Sequence, residues 1–177
     1  PIARSPNVLM LIGNILKRIS PDKEDFLQVI FEKIIQPTVE MFGNSFESFQ
    51  EFRLNFFKLI GSLTQRNNLI VEISDEAADT ILHLLMFGCK HLNQNVSDTS
   101  IYGLSDMIRY AGALGHTNEQ ASAFIEKNMI DIVAFAFEMI TDVTYKFSFG
   151  LHVNTLRDLL SMDFVKERAN LVYLRIT

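Results

Sequence analysis

The sequence predicts an all-α fold, an α-solenoid of antiparallel helix pairs, on three observations. Apolar residues recur at three- and four-residue steps along most of the chain, which is the mark of helices with one buried stripe. Short polar elbows rich in capping residues separate these stretches, as at His91-Leu92-Asn93-Gln94-Asn95. The first helices of successive pairs then begin near residues 5, 48, 96 and 145, and the second helices near 22, 74 and 118. A repeat in the forties is what two-helix units of the HEAT type require, and it gives about three to four of them. The predicted pairs span approximately 5–42, 48–90, 96–142 and 145–177, in one array over 1–177 that is a fragment of a larger solenoid. A compact helical bundle is the structural alternative; it accounts for the amphipathicity but not for the repeat length.

Ser5 or Asn7 caps the first helix, which places Val8, Leu9, Leu11, Ile12, Ile15, Leu16 and Ile19 on its buried side and Lys17 and Arg18 in its last turn. Ser20-Pro21-Asp22 breaks it. The second helix runs from about Asp22 to Phe42, with Phe26, Val29, Ile30, Ile34 and Ile35 apolar; Pro37 inside the pattern predicts a kink or restart near Gln36, and Gly43-Asn44 a stop. The third, roughly Ser48 to Arg66, carries Phe49, Phe52, Phe56 and Phe57 before Leu59, Ile60 and Leu63, a pattern that reads as packed core rather than an aromatic ligand box.

The stretch from Ile73 to Leu114 is a helical hairpin. Ser74 caps its first helix, Asp75 and Glu76 sit at the positive end of the helix dipole, and Ile81, Leu82, Leu84, Leu85 and Phe87 form the apolar run. In its second helix Val96, Ile101, Leu104, Met107, Ile108, Ala111 and Leu114 share a face. Thr117 and Gln120 then fit a capping box that opens a long helix to about Asp142. Tyr145 to Met162 reads as a last helix, and the tail 163–177 is left unassigned.

At 177 residues the chain is long enough for one well-buried domain or about four stacked repeats. A single cysteine, Cys89, cannot close an internal disulfide, so the reading is a reducing compartment. The net charge of −5 argues against a general nucleic-acid surface and accommodates a basic protein partner more easily. No uncharged apolar run spans a bilayer: Met129 to Thr141 comes closest but contains Asp131 and Glu138. The chain opens at Pro1 with no signal-peptide pattern, consistent with a piece of something larger.

Candidate chemistry is sparse. His83, His91, His116 and His152 show no metal-ligand spacing with one another, with Cys89 or with carboxylates, so no cofactor or metal is expected and the histidines read as surface or packing residues. Cys89 beside Phe87 in an apolar helix reads as a buried, inert thiol rather than a nucleophile. Neither GxxxxGK[ST] nor GxGxxG occurs, and no carboxylate pair singles out a general acid and base. No enzyme is expected.

A polar stripe is more informative. Asp25, Gln28, Glu32, Gln36 and Glu40 share one face of the second helix, Glu76, Asp79, Thr80, His83 and Lys90 one face of the fourth, and Gln120, Lys127, Asp131, Glu138 and Asp142 one face of the sixth. These are all second helices of their pairs, which in a solenoid stack side by side along the concave side. The stripes then merge into a mostly acidic inner surface with Glu32, Glu40, Glu76, Asp79, His83, Asp131 and Glu138 as candidate partner-binding residues, suited to a basic partner. The plainer alternative is that any solvent-facing helix carries such a stripe.

Several segments in order and spacing resemble the exportin 1 family of nuclear export receptors, within the importin-β (karyopherin) superfamily. Pro1-Ile2-Ala3-Arg4-Ser5-Pro6-Asn7-Val8-Leu9 resembles that family's P-x-A-R-x-P-x-V-L, and Phe46-Glu47 followed by Glu51 to Phe57 is similar to its F-E and E-x-R-x-N-F-F. Lys90-His91 with Asn95-Val96-Ser97-Asp98-Thr99 resembles K-H-x-x-x-N-V-x-D-T; Asp131-Ile132, Thr141-Asp142 and His152 fall where the family has D-I, T-D and H. The resemblance covers roughly residues 1–160.

It implies the C-terminal HEAT-repeat region of a ring-like receptor that shuttles between nucleus and cytoplasm through the nuclear pore. Its implied partners are the GTP-bound form of the small GTPase Ran, leucine-rich export-signal cargo and nucleoporins, with no direct nucleic acid and no membrane insertion. Ran and cargo bind such receptors cooperatively, each favouring a shared conformation of the solenoid. The family's export-signal groove and reactive cysteine lie upstream of this stretch, so the implied role is structural frame plus an inner face toward Ran, and Cys89 aligns with an apolar aromatic position instead. Arg53, Asn55, Asn95 and Asp98 match family positions and are expected to cap helices and bridge repeats. A generic HEAT or armadillo scaffold in another assembly is the competing reading.

Overall fold

In the computed structural model, residues 5–18, 26–42, 50–142 and 148–162 are described, and every regular element among them is helical. The order is α1 Pro6–Leu16, α2 Phe26–Ile30, a π-helical turn Phe31–Ile35, α3 Gln36–Phe42, α4 Gln50–Thr64, a short α5 Leu69–Glu72, α6 Asp75–Cys89, α7 Gln94–Gly115, α8 Glu119–Thr141 and α9 Phe149–Ser161. The predicted break at Ser20-Pro21-Asp22, the helix start at Asp22, the stop at Gly43-Asn44, the start at Tyr145 and the tail lie outside the described residues.

The elements stack as an α-solenoid. α1 packs on α4, α4 on α7 and α7 on α9, a row made of the first helices of the pairs; α7 also packs on α6 and α8 through elbows of a few residues. α7 is therefore wedged among four helices. Its predicted apolar face is buried as expected, with Val96, Ile101, Leu104, Met107, Ile108 and Ala111 all at most 2% exposed. One contiguous core runs from Leu9 to Leu159 and joins every layer. The aromatics of α4 are part of it: Phe56 meets Phe42 edge-to-face at 5.4 Å and Phe57 at 5.6 Å.

Close crossings need small residues. Gly88 of α6 lies where α4 and α7 converge, and a Cβ there would overlap both the Phe57 ring and Ser100 Oγ. Gly103 of α7 lies against Gly61 of α4, so that a Cβ on Gly103 would be 3.6 Å from the Gly61 Cα and only 2.8 Å from Leu85 Cδ2.

Pro37 acts as predicted, but one turn earlier than a simple kink. It has no N–H for the Lys33 carbonyl and its ring crowds that group, so the preceding turn widens and the Gln36 N–H bonds to the Phe31 carbonyl, five residues back. Thr38 Oγ1 donates to the Ile34 carbonyl in the same region.

Several sequence expectations are corrected. Leu11 and Ile15, placed on the buried side of α1, are 57% and 40% exposed, because only Leu9, Gly13 and Leu16 face α4. Val29 and Phe87 are likewise exposed. Ser5 stands at the N-cap of α1 but makes no side-chain cap, and Pro6 opens the helix. The capping box at Thr117 is not formed: Asn118 is the cap, its side chain accepting from the Ala121 N–H at 3.0 Å, while Thr117 Oγ1 donates to the Leu114 carbonyl. Ser74 does cap α6, accepting from the Ala77 N–H.

Candidate functional site

The polar stripes of α2, α6 and α8 meet as one layer, but many of their side chains are spent on one another. Gln28 of α2 accepts from the Ser74 N–H at 3.0 Å, 46 residues on. Gln120 at the start of α8 donates to the Ile73 carbonyl at 3.0 Å and to Asp75 at 3.2 Å. Midway along, Asp79 of α6 takes Lys127 on one carboxylate oxygen and Asn128 Nδ2, at 3.0 Å, on the other. At the far end Lys90 donates to Glu138 at 2.6 Å and stands over the Phe135 ring at 5.5 Å. Each rung joins one repeat to the next, and the partners are 45 to 49 residues apart.

The seven candidate residues therefore fall into two groups. Asp79 and Glu138 are rung members, and His83 turns its Nδ1 back on the Asp79 carbonyl at 2.8 Å. Glu32 sits on the π turn, accepting from Gln28 Nε2 at 3.0 Å. Glu40, Glu76 and Asp131 are exposed carboxylates with no ion-pair or side-chain hydrogen-bond partner among the described residues. Lys90 and Lys127, both members of the stripes, each pair with one of the face's carboxylates, Glu138 and Asp79. Asp79 in turn raises the Lys127 pKa, through the hydrogen bond first and its charge second.

A second bridge lies at the C-terminal end. Ser148, with φ 61°, takes the left-handed conformation just before α9 and hydrogen-bonds through Oγ to Asp98 of α7. His152, one turn on, is 2% exposed, and burial pushes its pKa down to about 4 against the opposing charge of Asp98. Arg53, 4% exposed, lies with Nη1 3.0 Å from Nε2 of His91 and ties α4 to the α6–α7 elbow. Asp98 and Arg53 thus bridge elements as expected, whereas the α7 cap is Asn93, which accepts from the N–H groups of Asn95 and Val96.

Cys89 is buried, and burial pushes its thiol above the ordinary range. Among the described residues no group of three His, Cys, Asp or Glu is placed to hold a metal ion. No helix of the described residues is long and apolar enough to cross a membrane.

The rungs carried a sequence signal that a single helical wheel hides. Asp79 with Lys127 and Lys90 with Glu138 are opposite charges 48 residues apart, one repeat length, and that coincidence marks inter-repeat pairs.

Comparison with known proteins matches residues 1–172 to the family model described as CRM1 C terminal. The chain is 28% identical over 163 residues to the Arabidopsis thaliana protein EXPORTIN 1B, which covers 92% of this chain and 15% of that protein. It is 23% identical over 163 residues to Drosophila melanogaster Exportin-1, with the same coverage of each. Over 152 residues it is 22% identical to Exportin-1 of Schizosaccharomyces pombe, covering 85% of this chain and 14% of that one. The chain thus spans about 15% of the length of the curated relatives it matches.

Proposed function

This chain belongs to the CRM1 C-terminal family, a family of nuclear export receptors rather than of enzymes, and from that premise we propose that it forms the C-terminal part of a receptor solenoid for leucine-rich export-signal cargo. The receptor takes up cargo cooperatively with Ran-GTP, passes the nuclear pore through contacts with nucleoporins, and shuttles between nucleus and cytoplasm. Within it this segment, over 1–177, is a single stretch of the larger array. Its work is to frame the solenoid and to offer the second-helix layer to the GTPase.

One observation carries the reading: the family match runs nearly end to end over a stacked array whose second-helix layer still holds free acids after its rungs are formed. Glu40, Glu76 and Asp131 are those acids, and a basic surface of the GTPase is their complement. Asp79 and Glu138 are poor probes of docking because reversing either also breaks a rung.

The test is binding of GTP- and GDP-loaded Ran to the full-length protein that contains this segment, with and without an export-signal peptide. GTP-selective binding strengthened by the peptide is the expected outcome, and Glu76→Lys with Asp131→Lys weakens it about three- to tenfold. Binding indifferent to nucleotide and peptide rejects the receptor reading; coupling that survives the double reversal unchanged rejects only the docking face.

A further inference from the structure

On the opposite layer, where α1, α4 and α7 lie side by side, the surface opens into a trough of about 340 Å³. Its floor is backbone, because Gly13, Gly61 and Gly103 stand where side chains would otherwise fill the seams. Its rim carries two large apolar groups that remain in water, Met10 on α1 at 46% exposure and Tyr102 on α7 at 58%. A second trough of about 520 Å³ shares Lys17, Ser62 and Gln65 with the first and continues toward Arg66 and Tyr110.

Charge distinguishes this trough from the rest of the chain. The protein carries a net −5, yet the two troughs are lined by Lys17, Lys58 and Arg66 with one lining acid, Asp106, which Arg109 engages at 2.6 Å; Glu72, outside the lining, acts on the Arg66 charge, so Lys17 and Lys58 are the cations the trough offers. The ammonium groups of Lys17 and Lys58 are exposed and have no partner among the described residues. The side-chain amides of Asn14 and Gln65 also face solvent in the wall, unpaired among the described residues and able to meet a peptide backbone.

We propose that this trough docks an acidic, amphipathic segment of a partner protein, which seats apolar side chains between Met10 and Tyr102 over the glycine floor and sets carboxylates against Lys17 and Lys58. A flexible thioether and an amphipathic phenol suit an apolar anchor of variable shape. Unpaired cations on both α1 and α4 select acidic flanks and repel basic ones. A nucleic-acid strand would satisfy the cations but leave the apolar rim exposed. The site lies on the layer away from the acidic second-helix face and stands independently of the export reading.

The probe is a fluorescein-labelled peptide of Glu with Leu at every third or fourth position, titrated by anisotropy with the full chain. Its controls are the same peptide with every Glu replaced by Lys, and a labelled oligothymidylate. Saturable binding of the acidic peptide is expected, at least about tenfold tighter than the basic one and weakened by salt. The Lys17→Glu, Lys58→Glu double variant loses about tenfold or more while its melting midpoint falls by no more than a few degrees, the cost of a carboxylate at the α1 C-terminus, and Tyr102→Ala loses several-fold. Equal binding of the acidic and basic peptides, preference for the oligonucleotide, or indifference to the double reversal each overturns the proposal.

Discussion

His152 is the residue with the clearest chemical consequence. It is packed between α7 and α9 as a neutral imidazole with a pKa near 4, whereas the unfolded chain titrates near 6.5. Between those values the unfolded state binds a proton that the folded state refuses, so stability falls as the pH drops from about 6.5 toward 4 and levels off below. The expected loss between pH 7.5 and pH 5 is on the order of 1–2 kcal/mol. Urea midpoints at the two pH values measure it, and His152→Gln is expected to flatten that part of the slope. An undiminished slope in the variant assigns the effect to other groups. The sequence showed His152 as one of four scattered histidines; its burial depends on α7 and α9 meeting, which no local pattern encodes.

At the scale of elements, two glycines of similar helical setting behave oppositely. Gly88 sits at the crossing of α4, α6 and α7, where Phe57 and Ser100 leave no room, while at Gly150, in the first turn of α9, no described neighbour from outside its own helical turn stands within 4 Å of where a Cβ would lie. Gly88→Ala is therefore expected to cost about 1–3 kcal/mol through overpacking. Gly150→Ala is expected to gain about 0.5–1 kcal/mol by restricting the unfolded backbone. Thermal melts of the two variants settle both, and equal shifts of the same sign would contradict the packing described. The helices themselves were legible because period and caps are local: the α7 face was read correctly from Val96 to Ala111, with Leu114 at its end only partly buried, and Ser74 was found as a cap. Misses arose where the choice was not local. Thr117 and Asn118 both suit a cap, and the chain's path into α8 selects Asn118. Leu11 and Ile15 have the right spacing for burial, but α4 covers only one side of α1.

Across the whole molecule, the repeat was legible from the spacing of helix starts: those predicted near 5 and 96 are observed at 6 and 94. The stripes that define the candidate face were legible helix by helix, but the pairing of Lys90 and Lys127 with carboxylates a repeat away was not, because a helical wheel shows one helix at a time. Those rungs also fix the mechanics of the array. Each ties a helix pair to the next, about 45–50 residues along the chain, and among the described residues no such rung reaches further. Pulled from its two ends, such a molecule should surrender its helix pairs in turn, as a zip does, rather than burst in one event. Each release should free roughly 170 Å of extended chain, so a sawtooth of that spacing in single-molecule stretching is the expected trace, and one abrupt rupture is the contrary one. A face built of such ties acts as a leaf spring, compliant over its length and stiff within each leaf.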